Sequence, residues 1–163
     1  LEGNIDIGPM IDQSSLNSAL QQIQDAVAQG ARCLCGGGRK AGTGFFLEPT
    51  VLADVPGDSV CMDEETFAPV APVVPFDEEN EGVARANDTE YGLAAYAYTR
   101  DIGRAMRLGE VLEAGTVGIN DAVPSTSICP FGGMKQSGVG RELGSEGLDA
   151  FLETKHVSMG SIS

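Results

Sequence analysis

The chain has 163 residues, 42% of them hydrophobic and 21% charged, a balance suited to one globular domain with an ordinary core. Twenty-four acidic against ten basic residues give a formal net charge of −14, which disfavours nucleic acid and anionic membranes as partners. No apolar run approaches the roughly 20 residues of a membrane helix, and Leu1-Glu2-Gly3-Asn4 lacks the basic and apolar regions of a signal peptide.

Extended and helical patterns alternate along the chain, which predicts an α/β layer architecture with a largely parallel sheet. Leu16, Leu20, Ile23 and Val27 recur at helical spacing, with Asp12 or Ser14 to cap the start and Gly30 to end it. Arg32–Cys35 reads as a strand, followed by a Gly36-Gly37-Gly38 turn. Cys33 and Cys35 alternate within that strand and are expected to pack as small apolar side chains. The four cysteines (Cys33, Cys35, Cys61, Cys129) and the single His156 form no zinc-like spacing, so reduced thiols and no metal are expected. Phe45–Leu52 reads as extended with a bend at Pro49, and Val70–Phe76 as a second apolar strand.

Asp77 is placed to cap an acidic helix running to about Asn87, with Val83, Ala84 and Ala86 inward. Leu93–Thr99 is strand-like. Asp101 is placed to cap a helix whose Ile102, Ala105, Met106, Leu108 and Leu112 face inward, with Gly115 ending it. Thr116–Asn120 reads as a short buried strand, residues 121–140 as a long loop, 141–152 as a helix, and Glu153–Met159 as an extended tail. There are no repeats, linkers or low-complexity segments, so the chain reads as one compact unit.

Two motifs stand out. Cys129-Pro130-Phe131-Gly132-Gly133-Met134-Lys135-Gln136-Ser137-Gly138-Val139-Gly140-Arg141-Glu142 is a glycine-rich loop able to pass close to other backbone. Upstream lies Glu64-Glu65-Thr66-Phe67-Ala68-Pro69-Val70. In this order the two motifs resemble signatures of the aldehyde dehydrogenases, and the resemblance runs from Gly8-Pro9 to the C-terminus. One departure is Ala68, where the family usually has Gly.

The resemblance implies the C-terminal part of a three-layer catalytic domain over residues 1–152 and an oligomerisation strand and tail over 153–163. It implies NAD or NADP as cofactor, with Glu65 accepting hydrogen bonds from the nicotinamide ribose and Phe67 packing near the nicotinamide. Phe131 would wall the aldehyde channel. Glu142 would sit near a water relay, or serve as a carboxylate in the first turn of a helix. Lys135 and Arg141 read as ion-pair partners, and Cys129 as a plain loop thiol, with contact to substrate or redox sensing as the alternative. The family's nucleophilic Cys, its Glu base and its nucleotide-binding half lie before Leu1, and no Gly-x-Gly-x-x-Gly is present here. A truncated, inactive piece of an enzyme is therefore expected.

The run Ala86–Tyr96, the tail Phe151-Leu152-Glu153-Thr154-Lys155 and Ser125 look most like succinate-semialdehyde dehydrogenases. There a Ser binds the distal carboxylate, a sensible receptor beside arginines. Ser125 and Thr126 as plain loop hydroxyls stay open, as do glutarate semialdehyde or neutral aldehydes as substrate and a non-catalytic assembly module. The full enzyme is expected to be a cytoplasmic dimer or tetramer.

Overall fold

The computed structural model describes residues 6–161, and the chain divides into two compact units, Leu1–Phe76 and Asp77–Ser163. The sequence reads as one unit. The division falls just after Pro75, a residue that cannot donate to a strand ladder.

In the first unit, helix α1 (Gln13–Ala28) starts at Asp12, whose carboxylate accepts the Ser15 N–H at 2.7 Å. That hydrogen bond holds the Asp12 carboxyl below its ordinary range. At the other end Ala31 N–H reaches Ala26 O and Gly30 N–H reaches Val27 O, a cap that needs a left-handed residue, and Gly30 supplies φ +118°. Leu16, Ala19, Ile23 and Ala26 form the buried stripe, packed with Leu47, Leu52, Val55 and Cys61. Burying each large aliphatic side chain contributes roughly 1.5–3 kcal/mol.

Strands β1 (Arg32–Cys35), β2 (Thr50–Ala53) and β3 (Val70–Val73) form one sheet in that order, with β1 antiparallel and β3 parallel to β2. Leu52, at the centre of β2, is fully buried. Of the extended run expected over Phe45–Leu52, Leu47 forms a single bridge with Arg39 and Thr50–Leu52 belong to β2. All four residues of β1 are exposed, so Cys33 and Cys35 do not pack as core residues. β1 is the outer strand and has only β2 beside it. A short helix α2 (Val60–Asp63), absent from the sequence reading, is tied to α1 where the Asp25 carboxylate accepts the Val60 N–H at 2.9 Å. Cys61 lies inside it, and burial pushes its thiol pKa up.

In the second unit, helix α3 (Glu79–Asn87) begins one residue later than expected, after Glu78, with no side-chain cap. Asp77 instead donates its N–H to the Glu81 carboxylate at 3.2 Å. Helix α4 (Ile102–Val111) starts as read, with the Asp101 carboxylate accepting the Arg104 N–H at 2.9 Å. Strands β4 (Tyr91–Gly92) and β7 (Met134–Lys135) pair antiparallel, and β5 (Ala94–Ala97) and β6 (Thr116–Ile119) pair parallel. Among the described residues, the expected single and largely parallel sheet is three small sheets, in which two pairings are parallel and two antiparallel.

Several residues expected to face inward do not: Ala84 and Ala86 are exposed, as are Ile102 at 78% and Met106 at 62%. Leu112, expected to face inward, is buried just beyond α4, and Ala114 is buried with it. The helix expected over 141–152 is replaced by irregular chain and a 3₁₀ segment, Glu146–Phe151. Leu143 (φ +61°) and Gly144 (φ +57°) are left-handed, which no α-helix accommodates. Residues 152–161 are exposed and form no helix or strand, since the expected tail strand has no ladder partner among the described residues.

Helices α3 and α4 are joined by Glu79, which accepts from Arg104 Nε at 2.7 Å and Arg107 Nε at 3.0 Å. These two guanidinium contacts pull its carboxyl from 4.5 to about 2. A depressed carboxyl stabilises the folded state above its ordinary pKa, and that contribution is lost as pH falls toward the folded value. The wild-type chain is expected to lose stability between about pH 4.5 and 2 more steeply than Glu79→Gln. Urea midpoints measured across this window check it, and identical slopes for the two chains would refute it.

Candidate functional site

The residues singled out by the two motifs lie in different units, and each group has its own geometry. In the first unit the backbone leaves α2 extended at Glu64 and returns to the sheet at Val70. Ala68 packs against the core, which fixes the loop from below. Phe67 beside it is left-handed at φ +42°, and its ring is 86% exposed. A bulky residue in that region is strained by roughly 1–2 kcal/mol, so the core-facing Ala68 is gained by turning Phe67 outward.

Glu65, Thr66 and Phe67 form one side of a cleft of about 560 Å³, whose other walls are Pro9, Met10, Ile11 and the α1 residues Ser14, Ser15 and Ser18. The exposed Glu65 carboxylate and the serine hydroxyls supply polar partners, and the Phe67 ring supplies a flat apolar face. Such a lining suits a ligand with vicinal hydroxyls at one end and a planar ring at the other. The serines were missed in the sequence reading, which weighed Ser14 only as a cap. The available signal was the spacing of Ser14 and Ser18, four residues apart and therefore on one helix face.

In the second unit Phe131 and Glu142 are brought together as a two-residue antiparallel bridge. Each N–H donates to the other's carbonyl at 2.8 Å. Side chains of such a directly opposed pair leave on one face. Phe131 is half-buried and Glu142 exposed. Because 141–145 is not helical, Glu142 has no helix dipole to satisfy, and that alternative falls. Ser125, Thr126 and Cys129 are exposed on the preceding loop, where Cys129 N–H closes a turn onto Thr126 O at 3.2 Å.

Glycine allows this loop its close contacts. A Cβ on Gly115 would run into the Gly132 carbonyl, and one on Gly133 would sit 2.5 Å from Ser137 Cβ. Arg141 is not an ion-pair partner here: its Nη1 donates to Gly133 O at 2.9 Å and Gly140 O at 2.7 Å, holding the two limbs of the loop. Lys135 does pair, with Glu113 at 2.5 Å. Both cations near the loop are thus engaged internally.

Among the described residues no group of three His, Cys, Asp or Glu is arranged to hold a metal ion, and no helix is long and apolar enough to cross a membrane.

The family model described as "Aldehyde dehydrogenase family" matches residues 1–157. The chain is 46% identical over 160 residues to the succinate-semialdehyde dehydrogenase (NADP+) GabD of Escherichia coli, covering 98% of the chain and 33% of that protein. It is 46% identical over 162 residues to a 3-sulfolactaldehyde dehydrogenase of Pseudomonas putida, at 99% and 33% coverage. A glutarate-semialdehyde dehydrogenase of Pseudomonas aeruginosa is 45% identical over 162 residues, at 99% and 34% coverage. Among solved structures, an NADP-dependent enzyme of E. coli superposes with a TM-score of 0.91 at 46% identity, covering 94% of this chain and 32% of that one. The chain therefore spans about a third of the length of these relatives.

The loop geometry gives a direct test. Gly115→Ala should push Gly132 aside and cost about 1–3 kcal/mol. Gly109→Ala, in α4 with open space around its Cα, should instead gain up to about 1 kcal/mol from helix propensity. Denaturation midpoints of the two variants are expected to move in opposite directions.

Proposed function

The chain belongs to the aldehyde dehydrogenase family, and from that premise we propose that it is the C-terminal part of the catalytic domain of an NAD(P)-dependent semialdehyde dehydrogenase. The full enzyme is an oxidoreductase that converts succinate semialdehyde to succinate. The observation that carries this reading is the cleft shared by Glu65 and Phe67. Its lining fits a nicotinamide nucleotide: Glu65 holds the ribose hydroxyls by charge-assisted hydrogen bonds, and Phe67 packs against the nicotinamide. When bound, that cofactor supplies the hydride acceptor for oxidation at the aldehyde carbon.

Phe131 walls the aldehyde channel, and Glu142, opposite it on the same bridge, stands near the water that completes the oxidation. The nucleophilic thiol and its base come from outside this segment, so residues 1–163 alone turn over no aldehyde. The tail 153–163 serves assembly into a dimer or tetramer. The four unpaired thiols agree with a reducing compartment such as the cytoplasm.

Substrate choice rests on the far end of the aldehyde. The relatives named for succinate semialdehyde, glutarate semialdehyde and 3-sulfolactaldehyde act on aldehydes that carry an acid group away from the carbonyl. Ser125 receives that group, with guanidinium partners supplied from outside the segment. The glutarate-semialdehyde relative, at 45% identity, supports a second reading in which the chain length of the diacid semialdehyde differs by one methylene.

Two variants of the full-length enzyme test the reading. Glu65→Gln loses a charge-assisted hydrogen bond of roughly 1.5–3 kcal/mol, so hydride transfer should slow about 10- to 100-fold in single-turnover measurements. Unchanged kinetics would make Glu65 a turn residue. Ser125→Ala should reduce kcat/KM for succinate semialdehyde more than for an uncharged aldehyde of the same length, and equal losses would remove the assignment of the acid subsite.

A further inference from the structure

Lys135 is a β7 residue in the left-handed region, at φ +52°. An ammonium group has three N–H donors. Here the structure gives Lys135 Nζ three acceptors: Asn87 O at 2.7 Å, Thr89 O at 3.1 Å and a Glu113 carboxylate oxygen at 2.5 Å. These acceptors belong to three places in the second unit: the last residue of α3, the turn before β4, and the segment between α4 and β6. Asn87 is itself locked, donating from Nδ2 to Val111 O at 2.8 Å and accepting the Glu113 N–H at 2.9 Å. The strand pair β4–β7 lies beside this knot, with Gln136 N–H on Glu90 O at 2.8 Å and Gly92 N–H on Ser137 Oγ at 3.0 Å. Among the described residues of the 130–142 loop, Lys135 is the side chain that reaches all three of these places.

We propose that Lys135 is a positioning residue for the aldehyde channel, fixing the loop that carries the Phe131–Glu142 bridge by saturating its ammonium on Asn87, Thr89 and Glu113. The inference rests on the reading of Phe131 as a channel wall. Lys135 touches no substrate in this scheme. It sets where the ring stands, four residues back along a glycine-rich strand that has little stiffness of its own. The left-handed backbone at a lysine is consistent with this, since strain of that kind persists only where surrounding contacts hold it. The carboxylate of Glu113 matters less than the two carbonyls, because it is 56% exposed and water can replace part of its interaction.

The test uses the full-length enzyme with three variants: Lys135→Met, which keeps the hydrocarbon stem and removes the donors, Glu113→Ala, and Phe131→Ala as reference. If Lys135 positions the ring, Lys135→Met should raise the KM for aldehyde and lower kcat/KM by up to about 100-fold, the loss a misplacement of about 1 Å can cause, while the KM for the nicotinamide cofactor stays unchanged. Glu113→Ala should move the aldehyde KM in the same direction by a smaller factor, and it serves as the test if Lys135→Met does not fold. A loss of thermal stability with the aldehyde KM unchanged in both variants would overturn the proposal and leave Lys135 as scaffold only. If Phe131→Ala itself leaves the aldehyde KM unchanged, the channel-wall reading fails instead, and a raised KM in Lys135→Met alone would then have to come from another part of the loop.

Discussion

Backbone laid directly on backbone is the constraint that most of the second unit depends on. Gly92 stands against the Glu113 carbonyl and Gly115 against the Gly132 carbonyl, both closer than any Cβ allows. Those contacts let two short strand pairs, β4–β7 and β5–β6, be drawn together by a chain too irregular to form a continuous sheet. With so few ladder bonds, the unit relies on side chains that hydrogen-bond to main chain. Asn87, Asn120, Lys135 and Arg141 all act in that way. It is a network of single polar clamps, and each clamp is placed where the backbone leaves a carbonyl without a strand partner.

The first unit is held by a different force. There a buried stripe on α1 meets Leu52 and Val55, and most side-chain hydrogen bonds lie at the surface. Thr50, 2% exposed, accepts the Gly37 N–H and donates to Glu48 O, tying the glycine turn to the start of β2. This apolar contact gives the 64–67 loop a firm base. Ala68 faces the core, so the neighbouring ring and carboxylate have one side only on which to lie.

The sequence made some of this legible and not the rest, for reasons that can be named. α1 and α4 were readable because an Asp cap precedes each, but of the stripe read in α1 only Leu16 and Ile23 are buried; Leu20 is half-buried, Val27 is exposed, and Ala19 and Ala26 complete the inner face. Periodicity does not say what will cover a stripe, however, and Ile102 and Met106 have the helical spacing of core residues yet lie exposed. The segment after Arg141 has helix-forming residues, but left-handed Leu143 and Gly144 break it, and a left-handed leucine leaves no trace in composition. β4 and β7 are two residues each, too short for any alternation to show. Glu65 and Phe67, singled out through their motif, line one cleft, and Phe131 and Glu142 are joined by a backbone bridge. The pairing of Phe131 with Glu142 was not legible, because it is set by the turn through Gly138 and Gly140 rather than by either residue.

Phe67 carries a conflict between what its backbone and its side chain each favour. At φ +42° the main chain would be relaxed by Gly or Asn, and the exposed ring gains nothing from packing within this unit. A screen that rewards only thermal endurance should therefore drift away from phenylalanine at this position, since a relaxed residue there raises stability. If Phe67 packs against the nicotinamide as proposed, a screen that rewards turnover of the full-length enzyme should hold it. The two pressures act on one codon, and the direction in which that codon moves under laboratory evolution reports which of them the protein is under.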